Sequence, residues 1–269
     1  MKKFLSVCVL CSMLLVGCGG KASGSETSEF VVGGSTSIQP LMEQIAESYN
    51  KSKSGKITVQ GGGSSVGTKG AMDGTFSVGM ASRALKEEEE KSLEGTVIAL
   101  DGIVIIVNKD NPITNITLEQ AKQIYTGKIT NWKDIGGKDQ EIAVVSREEG
   151  SGTRDGFESI VGFESSQLIA NADIQNATGA VISNVSGNKQ AIGYISMGSM
   201  SNNIKGLTID GVEASEATIL DETYKLQRPF MLCVKKGDES AKALFDFIFS
   251  DEGKQIIQEH KYIPVEREG

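Results

Sequence analysis

Three times along this chain a short run of strand-forming residues ends in a loop of glycines and hydroxyls that leads directly into a helical pattern. Phe30-Val31-Val32 precedes Gly33-Gly34-Ser35-Thr36-Ser37 and a helix with Leu41, Met42, Ile45, Ala46 and Tyr49 on one face. Ile57 to Gln60 precedes Gly61-Gly62-Gly63-Ser64-Ser65 and a helix through Ala71, and Ile142 to Val145 precedes Ser146 to Thr153 and a helix holding Phe157 and Ile160. Strands that alternate with helices in this way specify an α/β architecture. The run from Asp101 to Val107 is apolar after its first residue, the pattern of a strand covered on both faces, and is expected at the centre of the sheet. Ile192 to Ile195 and Pro229 to Val234 read as further strands, Lys86 to Lys91 as a solvated charged helix face, and Ala241 to Ile257 as one amphipathic helix.

At 269 residues the chain has room for one large domain or two lobes without disulfide staples. Its 27 Lys and Arg stand against 35 Asp and Glu, and the net charge of −8 repels a polyphosphate backbone where no basic cluster offsets it, which excludes nucleic acid as a partner. Lys2 and Lys3, the apolar run Phe4 to Val16, and Gly17 read as a signal peptide over residues 1–17; the run is shorter than the roughly 18 residues of a spanning helix. Leu15-Val16-Gly17-Cys18 resembles the bacterial lipobox, which implies a lipidated Cys18 and anchorage on the outer face of the cytoplasmic membrane. Residues 18–29 then form a polar tether. With Cys8 and Cys11 removed and Cys18 acylated, Cys233 has no disulfide partner and reads as a small buried hydrophobe in a strand.

The glycine and hydroxyl loops carry the candidate chemistry. The first turn of a helix leaves N–H groups unpaired and partly positive, glycine lets an anion approach the backbone, and Ser or Thr adds a donor. Any one of these loops is equally an ordinary N-cap, since Ser and Thr lead at that position for structural reasons. Three that converge beside an arginine would enclose an oxyanion, and Arg147 lies four residues before Ser151 at a strand end. Its fork of donors suits a tetrahedral oxyanion, although a salt bridge with Glu148 or Glu149 would also account for it.

The lipobox, Gly34-Ser35-Thr36-Ser37-Ile38-Gln39-Pro40, Gly63-Ser64-Ser65-Val66-Gly67 and Arg147 through Thr153 together resemble the phosphate-binding protein of bacterial phosphate ABC transporters. The likeness runs from Phe30 to the C-terminus and includes Asn131-Trp132 and Ala191 to Tyr194. It implies a two-lobed periplasmic-binding-protein-like fold of type II with two hinge crossovers, and a receptor that captures inorganic phosphate and delivers it to membrane permease subunits without a cofactor. It further implies that Thr36 and Ser37 donate from the first loop, Ser64 from the second, and Arg147, Ser151, Gly152 and Thr153 from the third.

One departure bears on selectivity. Family members carry an aspartate after the strand that here runs Gly79-Met80-Ala81-Ser82, and this chain has Arg83. That aspartate accepts the proton of hydrogen phosphate, which sulfate lacks. Asp101 is therefore expected to take over as acceptor, with Arg83 orienting it or contacting the ligand, or else pairing with Glu87 outside the pocket.

Other classes fit less well. Serine nucleophiles need a partnered base, and the one histidine, His260, is far in sequence from every glycine loop; it receives no site role, and Trp132 reads as packing. Metal-assisted cleavage needs clustered ligands that the solvated acidic runs do not supply. The remaining alternatives are a receptor for sulfate, molybdate or another oxyanion, and a surface lipoprotein that does not transport. The chain is read as a monomer, with residues 30–107 and 228–269 in one lobe, 108–227 in the other, and the ligand between them at the strand ends.

Overall fold

A computed structural model of the chain describes residues 29–52 and 55–267; the expected signal peptide and Cys18 lie outside these residues. The chain opens with β1 (Glu29–Gly34), α1 (Gln39–Ser52), β2 (Lys56–Gly61), α2 (Ser64–Asp73), β3 (Val78–Ala81), α3 (Glu87–Glu90) and the long β4 (Leu93–Asn108). It continues through β5 (Asn115–Ile116), α4 (Leu118–Tyr125), β6 (Ala143–Arg147), α5 (Gly152–Val161), β7 (Asp173–Gln175), α6 (Thr178–Gly187), β8 (Ala191–Ser196), β9 (Ile204–Gly206), β10 (Thr208–Ile209) and α7 (Glu216–Leu220). It closes with β11 (Gln227–Lys235), α8 (Lys242–Ile248), α9 (Asp251–Glu259) and β12 (Ile263–Pro264).

Strands pair in the order β2-β1-β3-β11-β4-β8-β6-β7. β1 is parallel to β2 and β3, and β6 is parallel to β7 and β8. Between these groups β4 and β11 run antiparallel to each other and to their outer neighbours β8 and β3. The side chains form two main cores. One gathers Phe30, Val32, Ile45, Met80, Phe230, Leu232 and Phe247; the other gathers Ile105, Tyr125, Trp132, Phe157, Val181 and Tyr194.

β4 contributes to both cores: Ile98 and Ala99 belong to the first, Ile103 to Val107 to the second. The chain returns between Leu226 in the second core and Phe230 in the first, and the Ile103 N–H donates to the Leu226 carbonyl at 2.7 Å, tying the two passages together. The result is a two-lobed α/β fold with two crossovers. Ile103 to Val107 already pack in the second core, a division that an apolar run buried on both faces does not reveal in the sequence.

Two further expectations are corrected. Ala241 to Ile257 is not one helix: α8 ends at Ile248, and the Ser250 hydroxyl accepts from the Gly253 N–H to cap α9. Nor is Lys86 to Lys91 a fully solvated face, since Glu89 is buried. Cys233 is fully buried as expected, and burial, with the Glu89 charge adding to it, pushes its thiol up to about 12.

Parallel strands on each side aim their C-terminal ends, and so their helix starts, toward the crossing region. The first helix starts are set by close backbone packing: a Cβ on Gly67 would lie 2.6 Å from the Met80 carbonyl oxygen and 2.8 Å from that of Gly33. Alanine gains about 1 kcal/mol of helix propensity there, but overpacking against rigid backbone costs more, so Gly67→Ala is expected to destabilise by about 1–2 kcal/mol net. A urea midpoint equal to or above that of the unaltered protein would contradict this packing.

Candidate functional site

Arg147 ends β6 and is held from three directions. Its N–H donates to the Tyr194 hydroxyl at 3.2 Å, its carbonyl accepts from Arg154 Nη1 at 3.1 Å, and its Nε and Nη2 each donate to Glu148 at 2.8 Å. Tyr194 is itself fixed by stacking on Phe157, with ring centroids 4.1 Å apart, and by the Ser146 hydroxyl at 2.8 Å. Arg147 pairs with Glu148, as the salt-bridge reading expects, and it also reaches across to the other lobe. Nη2 donates to the Thr36 hydroxyl at 3.1 Å and Nη1 to the Thr178 hydroxyl at 3.4 Å, with the side chain only 3% exposed.

Around this guanidinium the starts of helices from both lobes meet. Ser37 Oγ lies 2.9 Å from Thr153 Oγ1 and 3.3 Å from Thr178 Oγ1, and the first N–H of α6, on Thr178, donates to the Thr36 hydroxyl at 3.3 Å. Ser64 Oγ accepts from the Ser82 N–H at 3.0 Å, and the Ser35 hydroxyl donates to Ser82 Oγ at 2.9 Å. Gly152 joins the two groups, because a Cβ there would lie 2.4 Å from Ser64 Oγ and 2.8 Å from Ser82 Oγ. Gly63, which precedes α2, offers no side chain to cap it, and the Ser65 N–H instead donates to the Gly150 carbonyl of the opposite lobe at 3.0 Å. Helix starts, hydroxyls and a desolvated guanidinium in one place make an environment for a tetrahedral oxyanion.

Of the expected residues, Thr36, Ser37, Ser64, Arg147, Gly152 and Thr153 are brought together. Ser151 is present but its hydroxyl caps α5 by accepting from the Arg154 N–H. Asp101 and Arg83 are engaged by other protein groups. Asp101 Oδ1 accepts from the Ser196 hydroxyl and the Met197 N–H, and Oδ2 from Arg228 Nε and Nη2. Four bonds fill the acceptor capacity of a carboxylate, so Asp101 has no lone pair for a ligand proton. Burial pushes the Asp101 carboxyl up and the Arg228 guanidinium down, and their mutual attraction opposes both shifts. Arg228, not Arg83, orients Asp101, and Arg228 Nη1 continues to the Ser82 carbonyl at 3.3 Å.

Arg83 is equally committed. Nη1 donates to Glu89 Oε2 at 2.7 Å and to the Ala84 carbonyl at 2.9 Å, Nη2 donates to Glu89 Oε1 at 2.9 Å and Ser65 Oγ at 3.4 Å, and Nε lies 2.9 Å from Asp155 Oδ2. The partner is thus Glu89 and not Glu87. Burial works to lower the Arg83 guanidinium, and Glu89 and Asp155 more than reverse it.

Sequence reasoning missed the fourth helix start. Thr178 and Gly179 follow β7 in the same strand–loop–helix arrangement, but only Ala177 and Asn176 precede them where the other loops have glycine. Arg228 and Ser82 also received no site role, since neither sits in a glycine loop. His260 ends α9 with Nδ1 3.0 Å from the Ile256 carbonyl, and Trp132 packs in the second core.

Burial raises the Glu89 carboxyl, but bonds from Arg83, Lys86 and Thr68 outweigh it and hold the group at about 2 against an ordinary 4.5. The folded protein then binds fewer protons than the unfolded chain between these values. Stability from Glu89 is therefore complete above about pH 4.5 and lost as pH falls toward 2. Glu89→Gln is expected to flatten the pH dependence of urea stability in that window; an unchanged slope would contradict it.

The profile of the PBP superfamily domain matches residues 19–252. The phosphate-binding protein PstS of Borreliella burgdorferi is 31% identical, covering 98% of this chain and 99% of its own length. That of Bacillus subtilis is 32% identical, covering 91% of this chain and 82% of its own. Among solved structures, one from Clostridium perfringens, described as a phosphate ABC transporter substrate-binding protein with bound phosphate, superposes with a TM-score of 0.86 at 45% identity, covering 88% of this chain and 100% of that one. An ABC-type phosphate transport receptor from Vibrio cholerae superposes with a TM-score of 0.74 at 37% identity, again covering 88% and 100%.

Proposed function

The chain belongs to the PBP superfamily and, within it, to the phosphate-binding proteins of ABC transporters, and on that premise we propose that it captures inorganic phosphate between its lobes and hands it to a membrane permease. The observation that carries this reading is the Arg147 guanidinium of one lobe bonded to Thr36 of the other, ringed by hydroxyls at four helix starts. Phosphate would exchange these protein–protein bonds for bonds to its own oxygens. Thr36, Ser37, Ser64, Thr153 and Thr178 would give hydroxyl donors, Gly152 backbone approach, and Arg147 the charge. Ser151 would act by capping α5, and Asp101 through Arg228 would support the floor.

The lobes are proposed to comprise residues 30–101 with 228–262 and 103–226, hinged where β4 and β11 pass between cores. The role is binding and delivery with no covalent step. We further read the protein as a monomer on the outer face of the cytoplasmic membrane, held by lipid on Cys18. Cys18→Ala is expected to move it from the membrane fraction to the soluble fraction; retention in the membrane would remove the lipid anchor from this reading.

Micromolar affinity corresponds to about −8 kcal/mol, which a few charge-assisted bonds of roughly 1.5–3 kcal/mol each supply net of desolvation. Arg147→Ala should weaken phosphate binding by roughly 2–5 kcal/mol, because a buried anion loses its main cation. Isothermal titration with phosphate, and then with sulfate and molybdate in competition, tests both the site and the ligand. Tighter binding of sulfate or molybdate would reassign the ligand, no binding of any oxyanion would point to a surface lipoprotein without transport, and an Arg147→Ala protein of unaltered affinity would remove the site.

A further inference from the structure

Arg83 stands outside the hydroxyl cluster yet joins the lobes. Its guanidinium meets Glu89 edge to edge, both groups only 8% exposed on their side chains, and Glu89 is pinned from behind by the Thr68 hydroxyl at 2.6 Å and the Lys86 N–H at 2.8 Å. All of these residues belong to the first lobe. The arrangement fixes the plane of the guanidinium and leaves Nε directed out of that lobe, toward Asp155. Asp155 lies on α5, whose Phe157 and Val161 belong to the second core and whose first residues, Gly152 and Thr153, face the hydroxyl cluster.

Nε and Oδ2 approach to 2.9 Å without the alignment of a hydrogen bond, and neither has another polar partner. The contact is an ion pair available only while the lobes are together. Because Glu89 already immobilises Arg83, little rotamer entropy remains to be lost when Asp155 arrives. Glu89 cannot substitute for Asp155, since it sits on the opposite edge of the guanidinium and stays there whether or not the lobes separate. Next to this pair, the Ser65 N–H donates across the lobes to the Gly150 carbonyl, and Arg83 Nη2 reaches Ser65 Oγ.

We propose that Arg83 and Asp155 form an electrostatic latch that sets the closed fraction of the cleft, so that Arg83 governs phosphate affinity without touching the anion. This rests on the phosphate reading for its consequence but not for its existence. A ligand that binds the closed form is held more tightly in proportion to the population of that form, and removing a contact made only there lowers affinity by the same factor.

Asp155→Asn is the variant of choice, because it removes the charge at nearly constant shape and leaves the buried Arg83–Glu89 pair intact. Amide hydrogen exchange at Ser65, followed by NMR in the unliganded protein, reports lobe contact directly, and Ile106 within β4 serves as a fold control. The variant is expected to speed exchange at Ser65 by about tenfold, leave Ile106 unchanged, and weaken phosphate binding by about tenfold. Ser65 exchange equal to that of the unaltered protein would overturn the latch. If the unaltered protein bound no phosphate while Asp155→Asn still released Ser65, the phosphate reading would fall and the latch would stand.

Discussion

A nearly dry guanidinium must be held in place with its donors facing hydroxyls of both lobes, and the second lobe around Arg147 answers to that constraint. Arg147 would be costly to bury alone. Glu148 compensates its charge on one edge, Arg154 and Tyr194 fix its backbone, and the Phe157–Tyr194 stack fixes Tyr194. The free edge then meets hydroxyls that rigid strand ends present from both lobes. A donor set arranged before the anion arrives avoids the ordering cost that a flexible site would incur on binding.

Beneath the cluster a second buried pair serves the crossing itself. Asp101 in β4 and Arg228 in β11 lie where the two strands pass between cores, and each extends into one lobe: Asp101 to Ser196 and Met197, Arg228 to the Ser82 carbonyl. The Tyr262 hydroxyl adds a link, lying 3.1 Å from Ser196 Oγ and donating to the Ser37 carbonyl at 3.4 Å. The passages are thus stitched by charged and polar bonds rather than by apolar packing alone. Such bonds are directional, so they fix the geometry of the crossing.

The architecture was legible because it is written locally. Each strand, glycine loop and helix start announces itself over about a dozen residues, and the physics of helix termini marks the loops as anion sites before any coordinate is known. What escaped was non-local. Thr178 lacks glycines before it, so its helix start resembles any other, and Arg228 lies inside an apolar strand with nothing to mark its partner. Asp101 was expected to face the ligand because it sits at the mouth of a buried strand, but position along a chain does not reveal whether a carboxylate's lone pairs are already filled. Likewise the Glu87–Glu90 run reads as solvated, and only the tertiary approach of Arg83 draws Glu89 inward.

The central claim is that four helix starts and Arg147 enclose one phosphate ion between the lobes. A crystal structure of the protein grown with phosphate measures this most directly. Tetrahedral density within hydrogen-bond distance of Arg147, Thr36, Ser37, Ser64, Thr153 and Thr178 is the result expected. Density bound elsewhere, with the Arg147–Thr36 contact undisturbed, would contradict it.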